Sequence, residues 1–150
     1  MNDLVSLFTE KKLTLSCAES LTGGLFASTI TSIPGVSKIF KGGVVTYWNE
    51  AKANVISVSK DTIDEYGVVS SECASEMVRG VKKLFNTDVA LSFTGNAGPT
   101  SMEGKPVGLV YIGIIVKETV FTFEYMFEGD RNQIREACVK QGIKKILELI

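Results

Sequence analysis

The sequence predicts an α/β protein: a three-layer α/β/α sandwich around a mixed, mainly parallel sheet. Short apolar runs such as "LTLSC", "DVALSFTG" and "GLVYIGIIV" alternate with longer segments of helical spacing, the pattern of strands covered on both faces. The last two strand-like runs read as an antiparallel pair, which makes the sheet mixed. No linker, repeat or low-complexity segment interrupts the alternation, and 150 residues with 45% hydrophobic content supply one domain, 1–150, with a substantial core.

Each element has its own signal. Residues 3–11 read as an opening helix and "LTLSC" as a buried strand. After Gly23 and Gly24, "LFASTITSI" has helical spacing up to the punctuation of Pro34-Gly35. "GGVVTYW" reads as a strand, and "NEAKANVISV" as a helix with Asn49 as its N-cap. Residues 71–86 carry Ala74, Met77, Val78, Val81, Leu84 and Phe85, a stripe that faces a core, with Ser70 as the cap. "DVALSFTG" is a strand ending in a glycine turn, "GLVYIGIIV" and "TVFTFEYMF" form the antiparallel pair, and residues 130–150 close the chain as a helix. The stripe of that last helix is Val139, Ile143, Ile146, Leu147 and Ile150.

Composition excludes several classes of function. With a net charge of -1 and charges of both signs interspersed, the chain offers no basic stripe for nucleic acid or anionic lipid. No apolar run approaches the ~20 residues of a membrane span, and "MNDLVSLFTEKK" lacks the order of a signal peptide, so a cytoplasmic location is expected. Three widely spaced cysteines, Cys17, Cys73 and Cys138, suit reduced structural thiols. There is no histidine, which rules out Ser-His-Asp and Cys-His catalysis and histidine-ligated metals within one chain. Proton chemistry falls to Lys, Tyr, Asp, Glu or Cys.

In such an architecture ligands sit at the carboxyl ends of strands. Ser20 follows the first strand, Tyr47 ends the second and "TGNAGP" follows the third, so three polar turns are expected to converge at one edge of the sheet. A helix beginning near Thr22 would leave the N–H groups of Gly23 and Gly24 free beside the Ser20 hydroxyl, where an oxyanion could form. A serine needs a base. With Asn49 as N-cap, Lys52 stands in the first helical turn, where the helix dipole and partial burial both lower its pKa. The Tyr47 phenol could relay the proton. The plainer reading of these turns is that Gly, Ser, Thr and Asn satisfy caps and left-handed positions. Neither G-x-G-x-x-G nor G-x-x-x-x-G-K-[ST] occurs, against dinucleotide and ordinary nucleoside triphosphate binding.

"AESLTGG", "GGVVTYWNEAK", "GVVSSECASEM", "TGNAGP", "KPVGLVYIGI" and "GDRNQIR" stand in the order and approximate spacing of the CinA C-terminal domain family, which the chain resembles over about residues 3–147. That family includes the stand-alone PncC-type nicotinamide mononucleotide deamidases. The resemblance implies an oligomeric α/β/α amidohydrolase that converts the carboxamide of nicotinamide mononucleotide to nicotinic acid mononucleotide and ammonia, with no metal and no cofactor. The family's Ser, Tyr and Lys fall on Ser20, Tyr47 and Lys52. Substrate contacts are expected from Glu19, Thr22, Gly23 and Gly24, from Thr94, Gly95, Ala97 and Gly98, and from Arg131. Glu19 either orients Lys52 or caps a turn, and Arg131 is either a phosphate ligand or a first-turn charge. The expected partners are the small-molecule substrate and further copies of the chain, not nucleic acid or membrane. The sequence departs from the family at Leu21, where a Cys is usual, at Asn96, where an apolar residue is usual, and in "TSMEGKPVG", which replaces an acidic, glycine-rich continuation. The competing readings are a non-catalytic ligand-binding or competence-related regulatory domain, and an amidase for another small amide.

Overall fold

Five strands, β1 (Leu15–Glu19), β2 (Phe40–Val45), β3 (Val89–Gly95), β4 (Leu109–Val116) and β5 (Thr119–Met126), form one sheet in the order β2-β1-β3-β4-β5. The computed structural model describes residues 2–150. β1 pairs in parallel with both β2 and β3, whereas β3–β4 and β4–β5 pair antiparallel, so every strand except β4 points the same way. The sheet is mixed as expected. Its strand directions are mainly parallel, while its pairings divide evenly.

Among the described residues six α-helices cover it: α1 (Asn2–Lys11), α2 (Leu25–Thr31), α3 (Asn49–Ile56), α4 (Lys60–Tyr66), α5 (Ser71–Phe85) and α6 (Arg131–Leu149). Strand alternation sends Cys17, Leu91 and Phe93 into a core with Phe8 of α1, Phe26 of α2 and Ile146 of α6. Ala18, Ala90 and Ile115 pack on the other face with Ile56 of α3 and Met77 and Val81 of α5. Both faces of β1 and β3 are thereby buried, which is why their sequences are apolar without alternation. Among the described residues no helix is long and apolar enough to cross a membrane.

The Ser70 hydroxyl caps α5 by accepting from the Cys73 N–H, and Cys73, Ala74, Met77, Val78 and Val81 are buried. Leu84 departs from the expected stripe, with 52% of its surface exposed. Phe85 instead takes the last place over the sheet, its ring filling the space a side chain on Gly42 would need. The three thiols are free and buried. Burial pushes Cys73 and Cys138 up to about 12 and Cys17 well above its ordinary value, so none is poised as a thiolate.

Three boundaries near the sheet edge, and one whole helix, differ from the sequence reading. α2 begins at Leu25 rather than near Thr22, because Gly23 (φ +57°) and Gly24 (φ +100°) hold the left-handed conformation that excludes them from the helix. β2 ends at Val45, which puts Tyr47 in the following loop. Trp48, not Asn49, is the N-cap of α3, and Lys52 is its fourth helical residue. α4 was not anticipated. It buries none of its residues fully, so no apolar stripe marks it, although Ser59 caps it through the Thr62 N–H.

Candidate active site

A cleft of about 370 Å³ opens at the carboxyl ends of the parallel strands, where Ser20, Tyr47 and the turn Gly95–Gly98 line the same space. The expected convergence of three turns is therefore present. Each turn leaves its strand at adjacent positions in the sheet: β1 carries Ser20, β2 leads to Tyr47 and β3 ends at Gly95. A second groove of about 750 Å³ lies between α2 and α6. It is larger, but apolar Leu25, Val139, Ile143 and Leu147 dominate it and neither Ser20 nor any of the three turns lines it.

Lys52 reaches back from α3 beneath Ser20 and is only 1% exposed. Its Nζ lies 2.9 Å from Ser20 Oγ, 2.8 Å from the Thr46 carbonyl oxygen and 3.2 Å from the Tyr47 carbonyl oxygen. No carboxylate forms an ion pair with it among the described residues. Burial lowers its pKa from the ordinary lysine value, against a smaller upward pull from Cys73 and Glu103. Once the amine is neutral it has two N–H groups and one lone pair. The two carbonyls take the N–H groups, and the lone pair is left for the Ser20 hydroxyl proton.

The Tyr47 phenol is elsewhere. Its side chain is exposed, and its oxygen accepts from Arg131 Nη2 at 2.8 Å, so only the Tyr47 carbonyl touches Lys52. Arg131 Nη1 also donates to the Gly98 carbonyl at 2.5 Å, which ties the mouth of the cleft together from α6. With five N–H donors, its guanidinium keeps capacity for an anion.

The first turn serves a different purpose from the one expected. The Gly23 N–H donates to the Ser20 carbonyl and Leu25 N–H to the Thr22 carbonyl, and neither Thr22, Gly23 nor Gly24 lines the cleft. The first-turn donors of α2, Phe26 N–H at 2.8 Å and Ala27 N–H at 3.1 Å, are held by the buried Glu19 carboxylate. Glu19 is thus the cap of a helix whose N-cap residue, Gly24, has no side chain to offer. Its alternative, orienting Lys52, has no hydrogen bond behind it. Leu21, the residue after Ser20, lines the cleft, and its N–H donates to no acceptor among the described residues. Thr22 and Thr46 each bury a hydroxyl without a protein partner.

Of the third turn, Gly95, Asn96, Ala97 and Gly98 line the cleft. Thr94 does not: its hydroxyl donates to the Val68 carbonyl at 2.6 Å, beneath the site. Sequence reasoning missed Arg135, whose Nε donates to the Leu21 carbonyl (3.1 Å) and Nη2 to the Thr22 carbonyl (2.9 Å), gripping the turn after Ser20. Its spacing of four from Arg131 places both on one face of α6 and was a usable signal. Trp48, Asn49, Thr100 and Met102 also line the cleft and were not expected to.

Fold and site together define an α/β/α domain with a buried serine–lysine pair at the carboxyl ends of parallel strands. The profile of the CinA C-terminal domain family matches residues 1–150, and the chain belongs to that family. It is 48% identical over 149 residues to a protein of Listeria innocua described as competence-damage inducible, covering 98% of this chain and 36% of the relative. A Bacillus subtilis protein of the same description is 48% identical over 141 residues, covering 94% and 34%. The chain thus spans about a third of the length of these curated relatives. Among solved structures, a CinA superfamily protein from Escherichia coli superposes with a TM-score of 0.97 at 31% identity, over 99% of this chain and 87% of the other. A competence/damage inducible protein from Agrobacterium tumefaciens gives 0.94 at 34% identity, over 98% and 91%.

Proposed function

We propose that this domain is a serine amidohydrolase that hydrolyses the carboxamide of nicotinamide mononucleotide to nicotinic acid mononucleotide and ammonia. The observation that carries the reading is the Lys52 amine, buried without an ion-pair partner among the described residues and in contact with Ser20 Oγ. A buried lysine is costly to a fold, and a non-catalytic binding domain has no use for one aimed at a hydroxyl.

In the proposed reaction the Lys52 lone pair takes the Ser20 hydroxyl proton as Oγ attacks the carboxamide carbon. The Leu21 N–H is the first unoccupied backbone donor after the nucleophile and supports the developing oxyanion. Collapse breaks the C–N bond, and the Lys52 ammonium returns the proton to the leaving nitrogen, which departs as ammonia. Water then attacks the Ser20 ester with Lys52 again as base, releasing the acid and restoring the hydroxyl. Tyr47 and Arg131 stand at the mouth, where Arg131 is the one charged side chain among the described residues lining the cleft and is suited to the substrate phosphate.

The test is ammonia release by the purified chain from nicotinamide mononucleotide, with nicotinamide and nicotinamide riboside as controls and Ser20→Ala as the inactive reference. Release from the mononucleotide that Ser20→Ala abolishes is expected. Turnover unaffected by Ser20→Ala would end the acyl-enzyme mechanism, and no release from the mononucleotide would remove it as substrate.

A further inference from the structure

One wall of the cleft belongs to a loop, 99–107, that follows Asn96 and contributes Thr100 and Met102 to the lining. The loop carries Glu103 and Lys105, yet neither lines the cleft. Both turn the other way, onto the connection between α4 and α5. The Glu103 carboxylate accepts from the N–H groups of Val68 at 2.8 Å and Val69 at 3.0 Å. Lys105 Nζ donates to the carbonyls of Tyr66 at 2.8 Å and Val69 at 2.6 Å, and lies 3.4 Å from Glu103. Gly67 makes the grip possible, because a side chain there would occupy the place of the Glu103 carboxylate.

Asn96 secures the loop at its base. It is 3% exposed, and its Nδ2 donates to the carbonyls of Met102 (3.2 Å) and Lys105 (3.1 Å) while its Oδ1 accepts from the Met102 N–H (3.2 Å). Its own backbone pairs with Leu109 and Gly108 at the start of β4, so the loop is anchored to the sheet through one side chain. Burial pushes the Glu103 carboxyl up, but the N–H groups of Val69 and Val68 and the Lys105 ammonium together outweigh it and hold it below the usual range. Both charged side chains of the loop are thus engaged with the protein itself.

We propose that Asn96, Glu103 and Lys105 are positioning residues that hold Thr100 and Met102 as a preformed, uncharged wall, and that this wall selects an uncharged, hydroxyl-bearing part of the ligand. The inference rests on the amidohydrolase reading for its substrate. Arg131 faces the ligand's anionic group, while the hydroxyl of Thr100 and the thioether of Met102 suit a sugar better than a second charged group.

The experiment measures kcat and KM for nicotinamide mononucleotide in Glu103→Gln, Lys105→Met and Lys105→Arg, with amide hydrogen exchange on the same proteins and on Asn96→Asp and Asn96→Ala, which are read by exchange alone because Asn96 itself lines the cleft. Loss of a charge-assisted contact of Glu103 or Lys105 with the 66–69 connection is expected to raise KM about tenfold while kcat, compared on its high-pH plateau so that the pull of Glu103 on Lys52 does not enter, stays within about twofold. Lys105→Arg, which keeps donors for both carbonyls, is expected to retain most of the parent KM. Asn96→Asp has the parent shape but sets a carboxylate against two carbonyls, so it is expected to quicken exchange as much as Asn96→Ala. Exchange is expected to quicken in segments 66–70 and 96–105 together, with β1 and β3 unchanged. Faster exchange with KM unaltered would overturn the positioning role, as would a fall in kcat equal to that in kcat/KM. If the parent chain releases no ammonia, the amidohydrolase reading fails by itself. The latch is then judged by exchange, which needs no turnover: segments that loosen independently would overturn it.

Discussion

Lys52→Met replaces the proposed base with an uncharged, unbranched chain of similar length, and its effects on stability and turnover separate cleanly. The substitution withdraws a donor from the carbonyls of Thr46 and Tyr47, each orphaned group costing about 1–3 kcal/mol. It also removes the penalty of burying an unpaired ammonium, which amounts to several kcal/mol. Wherever Lys52 is protonated in the folded protein, the variant is therefore expected to be at least as stable as the parent. The folded pKa is lowered by burial, whereas the unfolded chain keeps the ordinary value of ~10.4. Below the folded pKa both states of the parent hold the proton and the folded state carries the whole penalty. Between the two pKa values the unfolded state binds more protons, so the parent gains about 1.4 kcal/mol per pH unit and the advantage of the variant shrinks. Above both, it is constant. Urea denaturation followed by circular dichroism at a series of pH values from neutral to alkaline measures this difference. A gap independent of pH, or one that widens toward alkaline pH in favour of the variant, would refute the account of a destabilised buried ammonium. Turnover is expected to fall by about 10²–10⁴, the contribution of a positioned general base. Retained turnover in Lys52→Met would remove Lys52 from the chemistry.

Two further substitutions test the turn around the nucleophile. Glu19→Gln sets an NH₂ group against one of the two helix N–H groups that the carboxylate now accepts, and is expected to cost about 1–3 kcal/mol. Thermal unfolding checks it, and an unchanged midpoint would mean that α2 does not need the anion. Arg135→Lys cannot fork onto the carbonyls of Leu21 and Thr22 as a guanidinium does. It is expected to lower kcat about tenfold or more with KM little changed, since a small shift of catalytic geometry is felt in the chemical step. Full kcat would show that the turn holds its shape unaided.

The sequence made the architecture legible because each buried element carries its own periodicity: unbroken apolar runs in β1 and β3, and a helical stripe in α5 that begins with the Ser70 cap. α4 was missed for the complementary reason, that it fully buries nothing and so has no stripe to read. At the site, the positions of Ser20 and Lys52 and the meeting of three turns followed from strand ends and helix starts. The roles of Gly23 and Gly24 did not, because a glycine pair is compatible both with a helix start offering free N–H groups and with left-handed turns preceding it. Their positive φ values decide between these, and residue type alone cannot. Nearness in sequence pairs the Tyr47 phenol with Lys52. Its actual partner, Arg131, comes from the last helix, a contact across 84 positions that local pattern does not encode.

With no histidine in the chain, the base proposed here is a lysine, a group ordinarily protonated near neutral pH. The fold answers with two helix starts used in opposite senses. The N-terminus of α2 presents its positive end to Glu19, which neutralises it and leaves that terminus unable to hold a substrate anion. The N-terminus of α3 follows directly on Thr46 and Tyr47, whose carbonyls the Lys52 amine touches, so its positive end adjoins a nitrogen that would be less stable charged. Those carbonyls favour the ammonium to some degree, but burial is the largest influence and the net direction is downward. The anion-friendly turn suggested by the two glycines is thus occupied by the protein's own carboxylate. The proposed reaction relies instead on an amine that burial has made easier to deprotonate.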